Sequence, residues 1–226
     1  MNVLLVVAKA PVAGLAKTRL CPPAHPAQAA RVAAAALLDT LAAVRATAAT
    51  IPVLAHTGRF ADAEYRAELT TALAGWHLLP QRGDTFADRL ANAHADTAAA
   101  FPGRPVLQIG MDTPQVRPAL LTIALELLTA HGAVFGPALD GGWWALGLRD
   151  PAYAGALRDV PMSTDDTGRR TLAALREHGV RPAILPAQRD VDDWPSALAV
   201  AADLPGTRFA AAVESVGGHL VSGRRR

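Results

Sequence analysis

Both lysines of this 226-residue chain lie in one short segment, Val3-Leu4-Leu5-Val6-Val7-Ala8-Lys9-Ala10-Pro11-Val12-Ala13-Gly14-Leu15-Ala16-Lys17-Thr18-Arg19-Leu20. The other basic side chains, twenty of them, are arginines. In such a composition, Lys9 and Lys17 mark positions that want a compact, freely rotating ammonium. That group suits phosphate oxygens, whereas guanidinium prefers planar bidentate partners. With Arg19 they place three positive charges behind an apolar run, enough to hold a diphosphate or triphosphate. Chance clustering of a rare residue on a solvated loop is the plain alternative. The segment is not a P-loop, because Pro11 and Ala16 stand where both glycines of G-x-x-x-x-G-K-[ST] belong. Pro22 and Pro23 also stop the helix that would have to start at the lysine. A dinucleotide G-x-G-x-x-G is absent, which argues against NAD and FAD.

Four further constellations carry chemistry. In Gly110-Met111-Asp112-Thr113-Pro114 a carboxylate ends a buried strand, where it can hold Mg²⁺ or cap a turn. Gly110 suits close backbone approach. Gly136-Pro137-Ala138-Leu139-Asp140-Gly141-Gly142-Trp143-Trp144 reads first as a hairpin turn. The adjacent indoles fit best if one packs and the other faces a ligand, with Asp140 beside it. Met162-Ser163-Thr164-Asp165-Asp166-Thr167 reads primarily as a helix N-cap whose hydroxyls can also touch a ligand. Three acids in Asp190-Val191-Asp192-Asp193 repel one another, favouring a cation between them or a solvated cap for the next helix. The histidines show no ligand spacing, and no triad-like arrangement points to covalent catalysis.

The elements that position these residues alternate between short apolar strands and Ala-rich helices, predicting stacked βα units on a mainly parallel sheet. Strands are expected at 3–8, 51–56, 76–79, 106–109, 133–137, 143–148 and 181–185. Helices are expected at 26–48, 60–74, from Asp84 to about 100, 118–131, from 165 or 166 to 178, from about 195, and at 206–215. The loops after 8, 109 and 137 all leave the carboxyl ends of strands, where open α/β sheets place their chemistry.

A hydrophobic fraction of 51% supports a buried core, and Cys21 alone makes no disulfide framework. No apolar run reads as a bilayer span, and a cytoplasmic protein is expected. The net charge of +2 includes the terminal Arg224-Arg225-Arg226. A body that is otherwise near neutral argues against nucleic acid as a partner. The division expected is one domain over 1–215 and a basic, flexible tail over 216–226. An Ala-rich helix surface is compatible with a homodimer.

The order KAPVAGLAKTRL, RGDTFADRLANA, GMDTP, GPALDGGWWALGL, MSTDDT and DVDD resembles a bacterial glycosyltransferase family long classed as a domain of unknown function. The resemblance spans residues 2–205. That family belongs to the GT-A, or nucleotide-diphospho-sugar transferase, superfamily, and the first loop is also similar to that of phospholactate guanylyltransferases. The resemblance implies a GT-A-like, Rossmann-like three-layer α/β sandwich. It further implies that Lys9, Lys17, Thr18, Arg19 and Gly110 contact the nucleotide, with Gly83 and Asp84 near the base or ribose. Asp112 and Asp192 (or Asp190) would hold Mg²⁺ or Mn²⁺, with Lys17 and Asp112 catalytic. Asp140, Gly141, Gly142, Trp143, Ser163 and Thr164 would face a small-molecule acceptor. Trp143 and Trp144 stand where the family usually has tyrosines, Met162 where it has tryptophan, and Asp193-Trp194-Pro195-Ser196 where it has Thr-Pro-Glu-Asp.

The activity this implies is glycosyl transfer from a nucleotide-sugar donor. Nucleotidyl transfer from an NTP to a phosphorylated small molecule is the alternative, and three loop cations tilt physical reasoning towards a triphosphate. A non-catalytic nucleotide-binding protein and a nucleotide-sugar hydrolase are the other expectations carried forward.

Overall fold

A computed structural model describes residues 1–223; the tail residues Arg224–Arg226 lie outside the described residues. Seven strands form one sheet in the order β3-β2-β1-β4-β6-β5-β7. They are β1 (Asn2–Lys9), β2 (Thr50–Thr57), β3 (His77–Pro80), β4 (Val106–Gly110), β5 (Ala133–Pro137), β6 (Trp143–Leu148) and β7 (Ala183–Ile184). All neighbours pair in parallel except β6, which runs antiparallel to both β4 and β5. The chain therefore turns back at β5–β6 through a tight hairpin, as Asp140-Gly141-Gly142 predicts.

Alternation along β1 divides the core. Leu4, Val6 and Ala8 face a cluster shared with α1 (Pro26–Ala46), α2 (Arg66–Ala72) and α4 (Pro118–His131). Val3, Leu5 and Val7 face the opposite cluster, with α3 (Phe86–Ala100), α5 (Thr167–Glu177) and a 3-10 helix at Pro151–Asp159. The result is a sheet between two helical layers, as the α/β pattern implies. A third cluster packs α1 against α6 (Trp194–Ala202) and α7 (Arg208–Gly223).

By length and composition α1 is apolar enough to cross a bilayer, contrary to the expectation that no such run exists. Yet 78% of its apolar window is buried inside the protein. Most of its alanines are covered by the sheet and by α7, while Ala42 and Ala46 are exposed. The chain passes the boundary expected at 215 without a break: α7 continues to Gly223, and Val216 is buried.

Other differences have local causes. Asp84 does not cap α3; Thr85 does, in a capping box with Asp88. The stretch expected as one helix over 60–74 splits into a 3-10 turn and the short α2, with Tyr65 in the left-handed region between them. The 3-10 helix at 151–159 follows no 3.6-residue apolar period and was not anticipated. Arg158 clamps it to α3, donating to Asp88 Oδ1 (2.8 Å) and Asn92 Oδ1 (2.7 Å).

Candidate functional site

The sheet order reverses direction between β1 and β4, and ligands of open α/β sheets sit outside the strand ends at such a point. A cleft of about 860 Å³ opens there, near the upper end of the range for small-molecule sites. Lys9, Lys17, Thr18, Arg19, Gly110, Asp112, Asp140, Gly142, Trp143, Ser163, Thr164 and Asp192 all line it.

The loop after β1 is built to turn Lys17 inward. Ala16 and Leu20 are buried in two different core clusters, pinning the loop on either side. Lys17 itself takes the left-handed conformation (φ 50°, ψ 42°), which costs a non-glycine residue on the order of 1 kcal/mol and is met with at functional sites. Its Nζ lies 2.9 Å from Asp112 Oδ1 and 3.0 Å from Asp192 Oδ1. The Lys17 side chain is only 13% exposed. Burial works against its charge, but Asp112 and then Asp192 outweigh that, and its pKa stands above the ordinary lysine value. Arg19 is exposed and reaches Asp192 only loosely, at 3.8 Å. Lys9 is exposed and has no carboxylate partner among the described residues.

The three acids that follow Arg189 take three separate roles. Asp193 caps α6, accepting from Ser196 N at 2.8 Å. Asp192 joins Lys17, because Val191 N donates to Asp112 O (2.9 Å) and ties this segment to the end of β4. Asp190 is half-buried, and its Oδ1 is buried without a hydrogen-bond partner. Burial, then the charges of Asp112, Asp140 and Asp192, push its carboxyl up to about 7 against the pull of Lys17. Family departures at 193–196 thus leave the Asp112–Asp192 pair intact.

No three carboxylate, histidine or cysteine side chains gather closely enough among the described residues to hold a metal by themselves. Two carboxylates do converge, and Mg²⁺ takes only one or two from a protein, completing its shell with water and phosphates. Asp190, whose Oδ1 is buried without a hydrogen-bond partner, lines the same cleft. The donor set therefore fits a divalent ion. Asp112 does not cap α4, whose N-cap position is Arg117 with no side-chain cap bond.

On the other wall, the two indoles divide as expected. Trp144 is 2% exposed and donates to Pro186 O (3.0 Å), while Trp143 faces the cleft and rests on Phe135 with ring centroids 6.3 Å apart. Asp140 accepts from Gly142 N (2.8 Å), holding the turn. Gly141 does not line the cleft; a Cβ there would collide with the Asp165 carbonyl. Its glycine is a packing requirement between the 140–142 and 163–168 turns, joined by Gly168 N donating to Gly141 O (2.8 Å). The Thr164 hydroxyl is taken up locally, donating to Asp166 Oδ1 (2.8 Å), whereas Ser163 is exposed with φ 62°. Asp166 holds the N-cap position of α5 but makes no cap bond; it pairs with Arg169 and Arg170 instead.

Gly83 and Asp84 do not reach the cleft. Gly83 (φ 124°) is pressed against Asp88, where a Cβ would sit 2.6 Å from the Asp88 Cβ. The side chains that enter from this region are Gln81, Phe86, Arg89 and Leu90. Arg89 lies over the Phe86 ring at 5.7 Å and has no carboxylate partner among the described residues. Sequence reasoning missed Phe86, Arg89 and Leu90 because α3 begins after Thr85, not at Asp84, and Gln81 because it lies in the link between β3 and α3. A Cβ on Gly110 would meet Asp112 N at 3.8 Å, an ordinary contact, so packing does not demand glycine there.

No curated protein matches this chain. Among solved structures, it is similar to a protein of Desulfovibrio desulfuricans G20 provisionally assigned as a nucleotide-diphospho-sugar transferase. The two share 22% identity, with 96% of each chain covered and a TM-score of 0.81. It is also similar to a cytidylyltransferase from Leptospira borgpetersenii (11% identity, 98% of this chain and 96% of that one, TM-score 0.56). A third likeness is to Rv0371C of Mycobacterium tuberculosis H37Rv in complex with manganese (19% identity, 88% and 98% covered, TM-score 0.52). At these identities the likeness establishes the fold alone, an α/β sandwich with a mainly parallel central sheet. The sequence places the chain more narrowly: residues 40–164, more than half of it, match the model of an uncharacterized protein conserved in bacteria, and the chain belongs to that family, DUF2064.

Proposed function

We propose that this protein is a transferase that uses a nucleotide donor and a divalent metal, moving a glycosyl group from an NDP-sugar to a small acceptor. The observation that carries the proposal is the Lys17 ammonium set between Asp112 and Asp192 at the ends of β1 and β4. Asp112 and Asp192 are the residues that would hold Mg²⁺ or Mn²⁺, which when bound neutralises charge on the diphosphate oxygens as a Lewis acid. Lys9 at the end of β1 and the exposed Arg19, loosely held by Asp192, line the same cleft and can take up donor phosphates. In the transfer, an acceptor hydroxyl attacks the anomeric carbon and releases its proton to solvent, the bond from that carbon to the diphosphate oxygen breaks, and the NDP leaves with the bonding electrons. Preorganised positive charge facing that leaving group is the largest contribution the loop makes.

The charge count that tilted sequence reasoning towards a triphosphate changes once the fold is known. Lys17 is committed to two carboxylates, which leaves Lys9 unpaired among the described residues and Arg19 only loosely held by Asp192, at 3.8 Å. A second reading, nucleotidyl transfer from an NTP, draws support from Arg89, an unanticipated cation on the cleft wall. It also draws on the fold shared with a cytidylyltransferase.

A thermal-shift screen of NTPs and NDP-sugars, with and without Mn²⁺, tests the proposal. A ligand at a hundred times its Kd that binds only the native state stabilises by about 2.7 kcal/mol. Manganese-dependent stabilisation by an NDP-sugar, lost in Asp112→Ala, is expected. Preference for an NTP would replace the first reading by the second. Nucleotide binding indifferent to Asp112→Ala would point to a non-catalytic binding protein, and donor breakdown without acceptor to a hydrolase.

A further inference from the structure

The cations that line the cleft are confined to one half of the chain, and of its acids only Asp112 comes from that half. Its cations, Lys9, Lys17, Arg19 and Arg89, all come from the first 113 residues. The wall built from residue 140 onward carries Asp140, Asp165, Asp190 and Asp192 and, among the described residues, no cation. Arg189, next to Asp190 in sequence, does not line the cleft, and Arg169 and Arg170, each held 2.7 Å from Asp166, do not line it either. A divalent ion on Asp112 and Asp192 would neutralise those two and leave Asp140 and Asp165 uncompensated. The side chain of Asp165 is exposed and has no partner among the described residues.

From this partition we infer that the acceptor is an uncharged, hydroxyl-bearing molecule of sugar-like type, seated between Trp143 and the carboxylates of Asp140 and Asp165, and not a phosphorylated one. The inference rests on the donor-nucleotide reading above. Ionised carboxylates accept hydrogen bonds and donate none, so they reward hydroxyl donors and repel phosphate. The half-exposed Trp143 indole supplies an apolar platform whose negative face attracts the C–H face of a sugar ring. The wall is also rigid. Gly168 N bonds Gly141 O, and a Cβ on Gly168 would lie 2.6 Å from Gly142 O, so the turns carrying Asp140 and Asp165 interlock. Side chains fixed by such packing hold a ligand geometry better than a mobile loop does.

The potential at Trp143 is measured directly by fluorescence quenching in a Trp194→Phe protein. Trp76 and Trp144 are 8% and 2% exposed, which leaves Trp143 as the accessible indole. Caesium is expected to quench at least threefold more effectively than iodide, and Asp140→Asn with Asp165→Asn to bring the two together. Equal or stronger quenching by iodide in the parent overturns the inference. A second arm follows donor consumption with Mn²⁺, comparing glucose with glucose 6-phosphate and glycerol with glycerol 3-phosphate. A phosphorylated member used as well as its neutral partner overturns the inference. A tenfold or greater preference for the neutral one, with Trp143→Ala raising acceptor KM and sparing donor Kd, supports it. Failure of donor binding in the thermal-shift screen would sink the donor reading and leave the quenching result standing, so the two failures are distinguishable.

Discussion

Lys17 Nζ and Asp112 Oδ1 lie 2.9 Å apart, joining the loop after β1 to the end of β4, and the same ammonium reaches Asp192. One lysine thus holds together three segments that are distant in sequence.

Removing that charge should be felt in stability before activity is considered. Lys17→Met leaves two carboxylates facing each other with only the loose Arg19 contact to offset them. The pair is intermediate between an exposed ion pair and a buried one, so a loss of about 1–3 kcal/mol is expected. Urea unfolding measures it. Mn²⁺ should recover part of the loss in Lys17→Met and add less to the parent.

Asp112→Asn keeps the shape and removes the charge. It should abolish metal-dependent nucleotide stabilisation and lower turnover by about 10²–10³-fold, the range for losing one preorganised electrostatic group. Circular dichroism should be unchanged, since Asp112 caps no helix.

Arg89→Met separates the two donor chemistries. If an NDP-sugar is the donor, its Kd should change by less than about threefold. If an NTP is the donor and Arg89 holds phosphate, affinity should fall about tenfold, worth some 1.4 kcal/mol. Calorimetric titration of each nucleotide distinguishes these results.

Acid stability should depend on His94, fully buried in α3 with both ring nitrogens unpartnered. Burial lowers its pKa from 6.5 to about 3. Between those values the unfolded chain binds the proton and the folded protein does not. The stabilisation is therefore complete above about pH 6.5 and lost as pH falls, by about 1.4 kcal/mol per unit down to about pH 3. Urea midpoints against pH should fall less steeply in His94→Phe; identical slopes would contradict the assignment.

Gly168→Ala should cost about 1–3 kcal/mol, because the new methyl group meets backbone that cannot give way easily. It should also reduce acceptor use more than donor binding, since it separates the turns bearing Asp140 and Asp165. Thermal melts and separate donor and acceptor titrations check both parts.

Much of the site was readable because strand-end loops of a parallel sheet converge by topology. Lys9, Lys17, Arg19 and Asp112 each follow a short apolar run, so their common location follows from local pattern alone. The Asp140 hairpin was legible for a similar reason: a turn signal between two apolar runs. Arg89 and Phe86 were not, because a one-residue difference in where α3 starts decides which side chains its first turn sends into the cleft. Gly83 and Gly141 looked like ligand contacts and are packing positions, since a sequence does not show what a missing Cβ would strike.

By itself the sequence determined the alternation of strands and helices, the sheet class, the motifs at the strand ends and the family, all of which depend on neighbours within a few residues. Only the tertiary structure decided that Lys17 serves two aspartates, that the acids at 190–193 divide into three roles, and that the wall from residue 140 onward is acidic and faces all the cations of the cleft. Those outcomes depend on charges brought within about 4 Å from distant parts of the chain, where burial strengthens each interaction and no local pattern records the pairing.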